Sequence, residues 1–211
     1  GNMPSLLTIE QMRAVDAEAI GGDAAIGFAY MQKAAQGLAD TVRETIPQPS
    51  DGTVAIVCGK GNNGGDGYVA GSILLQAGYR TTCFALNPRN TLSREAQTAF
   101  DLYAQHKGTL VAVEKPEDLA LEGHAVVVDA ILGSGTQGDP RGLAADAISA
   151  INASGATIVA VDSPSGLNNH TAEPGRPCVH AHATVTMGFP KIGCCLYPGK
   201  SLVWFLLTHH E

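Results

Sequence analysis

Short apolar runs that end beside glycine and an acid or amide constrain this chain more than any other feature. Residues 53–58, Thr-Val-Ala-Ile-Val-Cys, lead straight into Gly59-Lys-Gly-Asn-Asn-Gly-Gly-Asp-Gly67. Residues 125–129, Ala-Val-Val-Val-Asp, lead into Ala-Ile-Leu-Gly133-Ser-Gly-Thr-Gln-Gly138-Asp139. Residues 157–161, Thr-Ile-Val-Ala-Val, lead into Asp162-Ser-Pro-Ser165-Gly166. These runs are continuously apolar, not alternating. That is the pattern of strands covered by helices on both faces, as in a parallel sheet.

Between the runs the spacing predicts helices over about 65–76, from 91 or 93 to 107, and over 143–152, with glycines at 78, 108 and 155 closing them. Further strands are expected over 80–86, 109–113, 183–187 and 202–206. Thr8-Ile-Glu-Gln11 has the spacing of a capping box, so a first helix is expected to about Ile20, and a second from about Phe28 to Thr45. Right-handed crossovers then give a doubly wound fold. We expect one domain over residues 4–211, with a helical arm over 4–47 and a Rossmann-like core over 53–206. The fold class is α/β, a three-layer α/β/α sandwich around a mainly parallel sheet.

Hydrophobic residues at 45% and charged residues at 16% mark a globular chain, and a net charge of -7 argues against a nucleic-acid partner. No apolar run approaches the roughly 20 residues of a membrane span, and no leader pattern opens the chain, so a cytoplasmic location is expected. The cysteines, Cys58, Cys83, Cys178, Cys194 and Cys195, contain no CxxC pair and read as buried or semi-buried thiols. His180, His182, His209 and His210 do not form a cluster and read as surface residues.

In a parallel sheet, ligands bind outside the carboxyl ends of the strands. The stretches after the apolar runs are therefore expected to share one site. Both 59–64 and 133–138 fit GxGxxG, whose glycines let backbone amides approach a phosphate while the helix N-terminus adds partial positive charge. An ordinary dinucleotide site would also place a ribose-binding acid about 20 residues past the first glycine loop. Here the second strand ends in Ala85-Leu-Asn-Pro-Arg89 instead, which counts against a hydride-transferring dehydrogenase. Asp129 and Asp162 each end an apolar strand, where desolvation raises a carboxyl pKa toward acid–base use, and a turn or cap aspartate is the plainer alternative. Asn63, Asp129 and Ser165 are hard oxygen donors with one carboxylate, a set suited to an alkali cation.

These residues resemble a known family. Asn62-Asn-Gly-Gly-Asp-Gly67 matches the YjeF N-terminal domain, the NAD(P)HX epimerases, and the similarity spans about Leu7 to Gly199. It includes Thr8-Ile-Glu-Gln-Met-Arg13 with Asp16, the stretch 129–138, Val161-Asp-Ser-Pro-Ser-Gly166 and Thr184-Val-Thr-Met-Gly-Phe-Pro-Lys191. The family interconverts the C6 epimers of hydrated NADH and NADPH so that a stereospecific dehydratase can restore them. The resemblance implies that Asn62, Asn63, Gly64, Gly65 and Asp66, together with Gly133, Ser134, Gly135, Thr136, Gln137, Gly138 and Asp139, bind substrate, and that Asp162 contacts it. It implies that Asn63, Asp129 and Ser165 hold a potassium ion. It further implies coupling to an ADP- or ATP-dependent dehydratase, and a homodimer, since members are often dimeric. Of the two acids, Asp162 is the preferred acid–base group and Asp129 the second candidate, because Asp129 matches an ion ligand.

Two departures stand out. Where the family carries Leu-Met-Glu-x-Ala-Gly, this chain reads Tyr30-Met-Gln-Lys-Ala-Ala35, which is expected to alter packing or dimer contacts and not chemistry. The end, Trp204 to Glu211, is unlike the usual final strand. A non-catalytic binding module of the same fold is the competing reading, and the intact Asn-Asn-Gly-Gly-Asp stretch with both aspartates favours the enzyme.

Overall fold

The computed structural model describes residues 24–133, 139–162, 164–167 and 177–185. Its sheet consists of β1 (Val54–Cys58), β2 (Thr81–Ala85), β3 (Thr109–Ala112), β4 (Val126–Ala130), β5 (Thr157–Val161) and β6 (Ala183–Val185). All neighbours pair in parallel, in the order β3-β2-β1-β4-β5-β6. The helices are α1 (Ala24–Thr45), α2 (Asn62–Gln76), α3 (Arg94–Gln105) and α4 (Gly142–Asn152).

Two apolar clusters lie on opposite faces of the sheet and make the three layers. On one face, alternate strand residues such as Ile56, Cys58, Val128 and Val159 meet Leu38, Val42, Tyr68, Leu74 and Tyr103 from α1, α2 and α3. Residues of the other parity, such as Ala55, Val57, Val127 and Ile158, meet Ile148 and Ile151 of α4. The pleat alternates side chains between faces, so a strand buried on both must be apolar throughout. β1 and β4 are fully buried along their length, and their sequences are apolar except at Asp129. The edge strand β3 is mostly exposed and carries Leu110, 37% exposed.

The helical segment before the sheet is a packing layer: α1 lies on the same face as α2 and α3, and Met31 rests on Gly65. Gln32, which stands where the family has glutamate, is exposed on α1, so the substitution repacks nothing within the chain. The expected first helix, the expected strand over 202–206 and the last residues of the strand expected over 183–187 lie outside the described residues. Among the described residues no helix is long and apolar enough to cross a membrane.

Two tyrosines on the α1–α3 face give a paired stability test. Tyr103 Oη reaches the Thr109 carbonyl at 2.7 Å and the Thr81 carbonyl at 3.1 Å. Tyr68 Oη is buried without a hydrogen-bond partner among the described residues, and its ring stacks edge-on against Phe100 at 5.2 Å. A made hydrogen bond contributes modestly, whereas an unmade buried one carries its full desolvation penalty. Tyr103→Phe is therefore expected to lower unfolding free energy by about 1–2 kcal/mol, and Tyr68→Phe to raise it by about 1 kcal/mol, as read from denaturant midpoints.

Candidate functional site

Strand order places β1, β4 and β5 side by side, and all three point the same way. The stretches that follow them therefore leave from one edge of the sheet. Between β1 and β4 the connections diverge to opposite sides, which is the switch point where open α/β sheets admit ligands.

At the end of β4, Asp129 is 1% exposed. Its carboxylate accepts from Ser165 Oγ at 2.6 Å, Ser165 N at 2.8 Å and Ile131 N at 3.2 Å. Ser165 Oγ in turn accepts from Leu132 N at 3.0 Å, so one buried hydroxyl joins the segment after β5 to that after β4. All these donors are neutral. Burial pushes the carboxyl up to about 6, and the Ser165 hydroxyl, then the Ser165 and Ile131 amides, pull it back toward the ionised form.

The glycine-rich stretch after β1 is the start of a helix. α2 begins at Asn62, three residues before the expected start, with Gly61 as its extended N-cap. Glycine is a poor helix former, which hides the helix from a propensity reading. Here the glycines are required by proximity: a Cβ on Gly67 would press on Ala130 Cβ at 2.8 Å and on Cys58 Sγ at 3.0 Å. Asn62 Oδ1 accepts from Ser93 Oγ at 3.0 Å, tying α2 to the cap of α3. Asn63 turns the other way and donates from Nδ2 to Val161 O at 3.1 Å, at the end of β5. Its side chain also lies against Gly133, whose φ of +66° and lack of a Cβ permit the approach.

Asp66 is partly buried one helical turn beyond Asn63. Burial, and secondarily the negative charge of Asp162, hold its carboxyl well above the usual carboxylate range. Asp162 adopts φ +67°, the left-handed region, and donates its amide to Val185 O at 2.7 Å. Such a conformation at a non-glycine residue costs about 1–3 kcal/mol and tends to accompany functional sites.

Comparison with known proteins decides the family. The family model for the YjeF-related protein N-terminus matches residues 28–193. The chain belongs to this YjeF N-terminal family. Its relatives include the NAD(P)H-hydrate epimerase of Rhodopirellula baltica, 34% identical over 189 residues, covering 89% of this chain and 76% of that protein. The corresponding protein of Limosilactobacillus reuteri (strain DSM 20016) is 34% identical, covering 92% of this chain and 90% of its own. The bifunctional NAD(P)H-hydrate repair enzyme Nnr of Moorella thermoacetica is 39% identical over 171 residues, and this chain spans only 32% of its length. The crystal structure of yeast ynu0 superposes with a TM-score of 0.79 at 21% identity, over 95% of this chain and 87% of that one, so the two share a fold.

Of the expected site residues, Asp129 and Ser165 are hydrogen-bonded to each other, and Asn63 lies against Gly133. Asn62 faces α3, and Gly64 and Gly65 are buried within α2. Asp139 is exposed just ahead of α4. Ser134, Gly135, Thr136, Gln137 and Gly138 lie outside the described residues, as do Cys194, Cys195, His209 and His210. Cys58, Cys83 and Cys178 are buried thiols. The plainer reading of Asp129 as a turn residue holds in part, since it accepts from the amide two residues on, but it also receives Ser165 from the turn after β5. His182 is not a surface residue of no consequence: its Nδ1 accepts from Ile158 N at 2.8 Å and pins the start of β5. Sequence reasoning missed the proximity of Asp66 to Asp162. The signal available was the i, i+3 spacing of Asn63 and Asp66, had the helix been started at Asn62.

Proposed function

We propose that this chain is an NAD(P)H-hydrate epimerase, interconverting the R and S epimers at C6 of hydrated NADH and NADPH. The observation that carries this is the 34% identity to a protein of that name, over 92% of this chain and 90% of that protein, and thus without a second domain to account for the name. The site geometry supports it, because partly or fully buried aspartates stand at adjacent strand ends beside a glycine-rich helix N-terminus. A scaffold module would gain nothing from burying such carboxyls, which costs stability.

Asn62 to Asp66 and Gly133 to Asp139 are read as the dinucleotide-binding segments, with backbone amides meeting the phosphates. Epimerisation requires the C6 hydroxyl to leave and water to return on the other face. The ring nitrogen can supply the electrons for departure, leaving a delocalised cation. A carboxyl group then gives a proton to the leaving hydroxyl, and a carboxylate takes one from the incoming water. Asp162 is assigned this proton chemistry.

Asn63, Asp129 and Ser165 are read as the holders of a potassium ion. Their chemistry fits: among the described residues the buried carboxylate of Asp129 accepts only from neutral donors, one of them the Ser165 hydroxyl. The ion would offset the charge of Asp129 and brace the ends of β4 and β5. The bifunctional relative supports coupling to a dehydratase as consumer of one epimer. A homodimer belongs to this reading on family resemblance alone.

The deciding assay mixes both epimers of hydrated NADPH with an S-specific dehydratase. Without this protein, recovery of NADPH is expected to stall near the S fraction. With it, recovery is expected to go to completion at enzyme-limited rate. An unchanged stall would exclude the activity.

A further inference from the structure

All six strands run the same way, so the carboxyl ends of β1 and β2 lie on the sheet edge that carries Asp129 and Asp162. The reading above puts C6 of the nicotinamide ring at Asp162, after β5, and the two phosphates at the segments after β1 and β4. From β5 the strand order runs β4, β1, β2. A dinucleotide laid in that direction carries its adenosine over the ends of β1 and β2. The end of β2 is three strand spacings, or roughly 14 Å, from that of β5.

Hydrogen bonds tie this corner together. Leu86 N donates to Cys58 O at 3.1 Å, and Ser93 N donates to Lys60 O at 3.0 Å, so the turns after β1 and β2 are held to the start of α3. Ser93 Oγ donates to Asn62 Oδ1 at 3.0 Å, beside the expected substrate-binding stretch. Arg94 follows Ser93 directly as the first residue of α3. The backbones of Lys60 and Arg94 are thus one residue apart across a hydrogen bond, although the two belong to different elements. Both residues are exposed, and among the described residues neither is in an ion pair. Arg89, a third cation after β2, is already engaged: its Nε and Nη2 donate to the Asp101 carboxylate at 2.7 Å and 2.6 Å. That pairing also neutralises Asp101, and Glu95, next on α3, is half-buried.

A site for adenosine with a free 2′-hydroxyl places a carboxylate after β2 to accept from it, whereas a 2′-phosphate takes cations there instead. The turn Leu86-Asn87-Pro88 offers no carboxylate. Resting on the epimerase reading above, we propose that Lys60 and Arg94 hold the adenosine 2′-phosphate and make the enzyme prefer hydrated NADPH to hydrated NADH. The two cations supply charge-assisted bonds that only the phosphorylated substrate can use, and no acid after β2 compensates the unphosphorylated one. The 2′-phosphate is remote from C6 and is bound alike in the ground state and the transition state. The preference is therefore expected in KM, with kcat shared by the two substrates.

The test compares wild type, Lys60→Gln, Arg94→Gln, the double variant and Arg89→Gln, each with hydrated NADPH and with hydrated NADH under excess dehydratase. Affinities for NADP⁺ and NAD⁺ are read by calorimetry alongside. Wild-type kcat/KM is expected to be at least about tenfold higher for hydrated NADPH, the worth of one good charge-assisted bond. Each single variant is expected to lower that ratio severalfold through KM, and the double variant to bring it near one, with the affinity for NADP⁺ falling in step. Arg89→Gln is expected to keep the wild-type ratio, because its guanidinium serves Asp101. Equal kcat/KM for the two hydrates in wild type overturns the proposal, as does a ratio that the double variant leaves unmoved. Equal losses on both hydrates in the double variant also overturn it, since they place the cations on the diphosphate common to both. These results leave the epimerase reading standing, whereas a wild type that turns over neither hydrate overturns both.

Discussion

Asp162→Asn is expected to reduce the turnover of hydrated NADPH by about 10²–10⁴-fold, the usual contribution of a positioned general acid–base group. The substitution is a clean one for structural reasons. Asp162 sits at φ +67°, and asparagine accepts the left-handed region as readily as aspartate does. The backbone bond from its amide to Val185 O does not involve the side chain, so the end of β5 stays attached to β6. Asn63 continues to bond Val161 O, and the N-terminal turn of α2 keeps its place. The backbone contacts described around Asp162 are therefore unchanged, and a proton carrier is lost. Dinucleotide affinity, read by calorimetry with a non-reacting nicotinamide nucleotide, is expected to stay near that of wild type while kcat falls. A variant that turns over at the wild-type rate under saturating substrate would move the proton chemistry to Asp129 or to an ordered water.

The sheet was largely legible because its strands are buried on both faces and so read as unbroken apolar runs, as in Val54–Cys58 and Val126–Ala130. Their order was less accessible, since β1 pairs with β4 across an intervening excursion through β2 and β3 that no local pattern records. The start of α2 was misplaced to Gly65 because local propensity argues against helix at two glycines, whereas close approach of Gly67 to Ala130 and Cys58 demands them. Asp66 was named among the substrate-binding residues, but the same misplacement hid its helical relation to Asn63, which exists only if both lie on helix. The convergence of Asp129 and Ser165 was legible as a set of oxygen donors and strand ends. The direct bond between them, at 2.6 Å, depends on the turn after β5, which brings Ser165 back toward β4. Glycine at 133 was expected for phosphate approach, and the structure gives it a nearer duty, making room for Asn63.

Stability of the ion-free protein is expected to fall as pH rises from about 4 to about 6, and potassium is expected to reverse the fall. The folded protein holds the Asp129 proton up to about pH 6, while an unfolded aspartate releases it near 4. Between those values the folded state binds more protons than the unfolded one, so the stabilisation present below pH 4 is lost as pH climbs through 6. A difference of about two units corresponds to roughly 3 kcal/mol at most. Asp66 is shifted in the same direction and adds to the slope. A cation beside Asp129 favours the ionised carboxyl, lowers its folded pKa and removes that contribution. Melting temperatures from pH 4.5 to 8 in potassium chloride and in choline chloride at equal ionic strength are expected to agree at the acid end and to diverge by several degrees above pH 6. Asp129→Asn cannot ionise at this position, so its curve is expected to be flatter and insensitive to the choice of salt. Coincident wild-type curves in the two salts at pH 8 would remove Asp129 from any potassium site, and a wild-type curve that rises between pH 4 and 6 would show that the neutral donors from Ser165 and Ile131 outweigh the burial of the carboxylate.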